Sequence, residues 1–200
     1  MNENILDINN YKFPEHSLNE INKLINSNVK TNIHFVVSSE TIKIAANIIQ
    51  GIDVWEKKFD VSKINAIIFL LFKPQGNGKD HKDLILKDAD VKIFRDELKK
   101  AKTTFKIGLD SCFVCRINEV CNDFSEKEKM FSDSCEGARM SCYITADMKF
   151  IPCSFEDHNK AIPIKESIKK IWYNSDLFDN FRNKLKENPN KCPVEFDNEN

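Results

Sequence analysis

The placement of cysteine constrains this chain more than any other feature. The first 111 residues contain none, and all seven cysteines, Cys112, Cys115, Cys121, Cys135, Cys142, Cys153 and Cys192, lie in the rest. One composition therefore ends and another begins near Asp110, which predicts two units, 1–110 and 111–200. Charge does not distinguish them: 17 basic and 15 acidic groups stand before residue 111, and 13 and 16 after it. Neither unit has the basic footprint of a nucleic-acid binder. The longest apolar run, Ala66 to Phe72, has the length of a strand, far short of the roughly 18 residues a membrane span needs. The first thirty residues lack an apolar segment behind a basic start, so a secretory signal is not expected and a reducing cytoplasm is. In that compartment disulfides are disfavoured, and an odd count would leave one thiol over. Thiolate ligation of a metal accounts best for seven cysteines in so short a stretch.

The first unit alternates. Residues 17–27 read as a helix and 32–37 as a strand. Residues 40–58, with Ile42, Ala45, Ile48, Ile49, Ile52 and Trp55 near helical spacing, read as an amphipathic helix begun at Ser38 or Ser39. The run 65–72 is apolar without alternation, as a strand covered on both faces needs to be. A helix over 88–102 and a strand over 104–110 follow. This alternation predicts parallel strands joined by right-handed crossovers. Three strands are too few for a closed barrel of eight β/α units, so the fold expected is α/β with an incomplete barrel or small open sheet. The turn Gly76-Asn77-Gly78-Lys79 fails as a phosphate loop, because Lys73 and Asp80 stand where Gly and Ser or Thr are required. His34 reads as a hydrogen-bonded buried histidine.

In the second unit, residues 141–153 read as a hairpin turning at 146–149. Pro152 ends its ladder and releases Cys153 near Cys142. Amphipathic helices are expected over 164–173 and 176–187, stopped by Pro189, and they return the chain to Cys192. Zinc and an iron–sulfur cluster are both open by ligand chemistry. Cys112-x-x-Cys115 is the one tight pair, and zinc sites usually use two. The long, uneven spacing of the others suits a cluster held between loops better.

The stretch Cys135-Glu-Gly-Ala-Arg-Met-Ser-Cys142-Tyr-Ile-Thr-Ala-Asp-Met-Lys-Phe-Ile-Pro-Cys153, then Ile171-Trp172, Phe178, Phe181-Arg182 and Cys192-Pro193, resembles the SPASM or twitch extension of radical SAM enzymes. Upstream, Phe69-Leu-Leu-Phe-Lys73-Pro74-x-Gly76 resembles the sixth strand and loop of their partial barrel. Gly108-Leu-Asp-Ser-Cys112 resembles the segment that enters the extension. Met148 stands near where the family usually has a hairpin glycine. The family's CxxxCxxC loop, whose cluster binds S-adenosylmethionine, has no counterpart here. The resemblance thus implies the C-terminal portion of a radical SAM protein: an incomplete β/α barrel segment followed by a small Cys-rich α+β domain with one auxiliary 4Fe–4S cluster. Its ligands would be Cys135, Cys153 and Cys192, with Cys112 first candidate for the fourth place and Cys142 its competitor. Cys115 and Cys121 rank below them. The implied partner is an N-terminal radical SAM half, which would restore S-adenosylmethionine chemistry, with a peptide as candidate substrate; the apolar strands of the first unit, with an edge left unpaired, make self-association the other expectation. A non-enzymatic zinc-stabilised binding module is the alternative from another functional class.

Overall fold

A computed structural model describes residues 12–130 and 134–194. It divides into two units, Met1–Phe113 and Val114–Asn200. The division falls inside a helix that the sequence reading did not anticipate, α4 (Ser111–Cys121).

The first unit runs α1 (Glu15–Asn26), β1 (Thr31–Val37), α2 (Ile42–Ile49), β2 (Ile64–Leu71), α3 (Asp88–Lys99) and β3 (Lys106–Leu109). Its three strands are parallel and lie in chain order, β1-β2-β3, with Phe35 opposite Phe69 and Phe69 opposite Leu109. The expected parallel α/β sheet is therefore present. One face is closed by a run of aromatic rings, Phe35, Phe69, Phe94 and Phe113, with successive centroids 6.0, 5.4 and 4.6 Å apart. Ile48, Ile49, Ile67 and Val91 are buried in the same unit. Burial of such side chains contributes about 1.5–3 kcal/mol each relative to exposure.

Two readings of this unit are corrected. The helix expected over 40–58 stops at Ile49, because Gly51 turns the chain with φ +75°, the left-handed conformation that ends helices. Beyond it the Asp53 carboxylate accepts from the Trp55 and Lys57 N–H groups and shapes a turn instead. His34 is exposed rather than buried, since β1 alternates: Phe35 and Val37 point to the core while His34 and Val36 do not. The Gly76–Gly78 segment is a short 3₁₀ turn at the surface.

The second unit places α5 (Glu126–Lys129) before a three-stranded antiparallel sheet of β4 (Tyr143–Ile144), β5 (Lys149–Ile151) and β6 (Ile162–Pro163), followed by α6 (Ile168–Asn174) and α7 (Asp176–Glu187). The expected hairpin is present. Met148 adopts φ +59°, the conformation that a glycine would take without strain. The helix expected from residue 164 begins only after Ser167, whose hydroxyl caps it through the Lys170 N–H. Residues 162–164 serve the sheet, where Ile164 N–H donates to Met148 C=O.

Phe94 is fully buried between two other rings. Phe94→Ala is expected to cost the first unit about 3–5 kcal/mol in urea unfolding, against under about 0.5 kcal/mol for the exposed Ile93→Thr.

Candidate metal centre in the second unit

The hairpin, the loop before it and the two C-terminal helices meet around one apolar cluster. Cys115 and Cys135 are buried in that cluster beside Phe150, Phe178 and Phe181, and Cys153 and Cys192 pack against it. Four thiols spread over 78 positions of sequence thus converge on one core.

Local rules explain how each arrives. The loop after Cys135 lies tightly against the end of the hairpin. A Cβ on Gly137 would stand 2.8 Å from the Phe181 ring and 3.3 Å from Pro152 C=O, so only glycine permits this approach. Ala138, at φ +56°, then donates its N–H to Ser141 C=O at 3.0 Å and to Pro152 C=O at 3.3 Å. Residue 138 is thereby fixed to the residue that precedes Cys153. Arg182 of α7 locks the same loop from the other side. Its Nε donates to Ala138 C=O at 2.8 Å, and its Nη2 donates to Trp172 C=O at the end of α6. The guanidinium also lies 5.1 Å from the centre of the Trp172 ring and pairs with Asp179. Lys184, two residues further on, donates to Pro193 C=O at 3.4 Å and ties the Cys192-Pro193 segment to α7.

The Cys153 sulfur accepts a hydrogen bond from Phe155 N–H at 3.5 Å. Such donors stabilise sulfur in its anionic, metal-binding state. Cys142 is exposed on the hairpin and lies outside this core; partial desolvation pushes its thiol pKa up. Cys112 belongs to the first unit, where Asp110 accepts from Phe113 N–H at 2.8 Å and from Lys73 Nζ at 3.2 Å. Burial pushes the Lys73 ammonium pKa down, but Cys112 and Asp110 beside it outweigh that and hold it above its usual value. Of the five cysteines expected as ligands, Cys135 belongs to this core and Cys153 and Cys192 pack against it, and Cys115 is part of it as well. The signal for Cys115 was the unrecognised helix α4, announced by Asp110 as its N-terminal cap and by Phe113, Val114 and Ile117 on a helical repeat.

Among the described residues no three Cys, His, Asp or Glu side chains are placed to hold one metal ion. By donor chemistry alone, thiolates are the soft ligands that an iron–sulfur cluster takes. A cubane takes one thiolate at each of four corners, so its ligands surround a volume rather than converge on a point, and soft thiolates in an apolar shell are its usual setting. No family model, curated protein or solved structure matches the chain.

Arg182 satisfies two carbonyls that no lysine could reach together. Arg182→Lys should therefore destabilise the second unit by about 1–3 kcal/mol, followed by Trp172 fluorescence; unchanged stability would mean that the guanidinium is incidental. In the hairpin turn the Asp147 carboxyl is held at about 2, first by its hydrogen bond with Lys149 and then by Thr145. A folded pKa below the ordinary 3.8 gives stabilisation that is present above that value and is lost as pH falls towards about 2. The turn amides should hold their NMR shifts from neutral pH to about 5 and move only below 3.8.

Proposed function

We propose that this chain is the C-terminal portion of a radical SAM protein and that its second unit carries an auxiliary 4Fe–4S cluster on Cys115, Cys135, Cys153 and Cys192. The observation that carries this reading is the gathering of four sequence-distant thiols in one apolar core. The chain-order parallel strands of the first unit are compatible with a barrel segment, and the hairpin, the Trp172 helix and the Arg182 helix follow the order of a SPASM-like extension. The fourth ligand is Cys115 because it shares the core, whereas Cys112 and Cys142 do not. When bound, the cluster would supply electron transfer, a substrate-binding iron or a rigid scaffold. The chain's own residues hold its place: Gly137 and Arg182 fix the Cys135 loop, and Phe155 N–H holds the Cys153 sulfur.

No three cysteines of the chain have the CxxxCxxC spacing, so reductive cleavage of S-adenosylmethionine belongs to a complementary N-terminal half. The chain alone is expected to form no 5′-deoxyadenosine under reducing conditions.

Anaerobic reconstitution should load about four irons and four sulfides per chain. Serine at Cys115, Cys135, Cys153 or Cys192 should reduce that loading severely, while Cys112→Ser and Cys142→Ser should leave it intact. One zinc per chain without iron would instead identify a zinc-stabilised module. Retention by Cys115→Ser with loss by Cys112→Ser would move the fourth ligand.

A further inference from the structure

The Gly76-Asn77-Gly78-Lys79 turn, which fails as a phosphate loop, carries a different chemistry. Asn77-Gly78 is the one Asn-Gly pair in the chain, and Asn77 is exposed. Asparagine is a chemically labile residue. It is most labile before glycine, because glycine has no Cβ to keep its backbone nitrogen away from the neighbouring carboxamide. The reaction needs no enzyme. Gly78 N attacks Asn77 Cγ and a bond forms between them. The Cγ–Nδ2 bond breaks, and ammonia leaves with the proton that Gly78 N gives up. Water then opens the five-membered imide. Cleavage of the new bond gives aspartate, whereas cleavage between Gly78 N and the main-chain carbonyl carbon of residue 77 gives isoaspartate. The net change is one water consumed and one ammonia released.

The fold opposes the first step at two places. Gly78 N–H donates to Gln75 C=O at 2.9 Å, so the attacking nitrogen is committed to the turn. Residues 76–78 also form a 3₁₀ turn. In the imide, Gly78 N must eclipse Asn77 Cβ about the Cα–C bond, which a 3₁₀ ψ of about −20 to −30° does not allow. The turn in its own right depends on Gly76, which sits at φ +58° with open space where a Cβ would stand.

The product does not fit the same place. A Cβ on Gly78 would stand 3.1 Å from Lys73 C=O and 3.2 Å from the Phe72 ring, so the turn lies close against the segment that follows β2. Isoaspartate adds a methylene to the main chain and a carboxylate beside it, and a turn lengthened in this way has to leave that packing.

We propose that Asn77 is a modification site gated by this turn: closed, the turn preserves the amide; open, it lets residue 77 pass through the imide to aspartate and isoaspartate. The loop lies wholly in the first unit, and its chemistry does not depend on a cluster in the second.

Peptide mapping of the full chain during incubation at mildly alkaline pH tests this, with separation of the asparagine, aspartate and isoaspartate forms of the peptide that holds residue 77. Conversion in the folded chain should be slower than in urea by about tenfold or more, and hydrogen exchange at Gly78 N–H should be slowed by a similar factor, since one opening exposes both. Gly76→Ala puts a Cβ into the left-handed conformation without a clash and leaves the Asn-Gly pair intact. It should keep the native circular dichroism and speed conversion of the folded chain about fivefold, with no change of rate in urea. Equal rates in the folded chain and in urea, no conversion at residue 77 in urea, or a natively folded Gly76→Ala that converts at the original rate would each overturn the proposal. The comparison of folded and urea rates decides it even where the variant fails to fold.

Discussion

A unit whose strands are two and three residues long cannot be held by its ladders. Each supplies few hydrogen bonds, and short elements leave much of the chain in loops whose ordering is entropically costly. Everything in the second unit therefore depends on what ties the loops to one another. Two ties are visible. The Arg182 guanidinium joins α7, the end of α6 and the Cys135 loop through three hydrogen bonds and a ring contact. The core itself contains four thiols among its rings. Small domains with cores of this size commonly recruit a metal or disulfides, and thiolates bound to a cluster would convert the second tie from packing into covalent ligation.

The two units differ in how they solve that problem. The first closes one face of a parallel sheet with stacked and edge-to-face rings, and needs no cysteine to do it. Its cost appears elsewhere. A parallel sheet of three strands has two edges and one well-covered face, and proteins of this class usually cover both faces. Among the described residues β1 and β3 form its two edges, seven and four residues long.

Much of this was legible in the sequence because hydrophobic period reports burial directly. The strand at 64–71 and the helices at 88–99 and 176–187 follow from it, as does the hairpin ending in Pro152. The failures have local causes. Residues 50–58 kept an apolar spacing that looked helical, but one glycine in a left-handed conformation outweighed it. His34 reads as interior in the sequence because edge and central strands have similar composition, whereas β1 is an edge among the described residues and leaves it exposed. Helix α4 was hidden because its apolar repeat, Phe113, Val114 and Ile117, is interleaved with the closely spaced Cys112, Cys115 and Cys121, and with it went the placement of Cys115. The hairpin was recognised without its glycine, since Met148 accepts the strained φ that the turn demands.

The central claim is that four thiols in the second unit hold one cubane cluster. Mössbauer spectroscopy of the chain produced anaerobically on isotopically enriched iron tests it most directly, because it reports nuclearity and ligand type together. The account predicts the quadrupole doublet of a diamagnetic four-iron, four-sulfide cluster as the dominant signal. Mononuclear tetrahedral iron as the dominant species, or a chain saturated with zinc and free of iron, would contradict it.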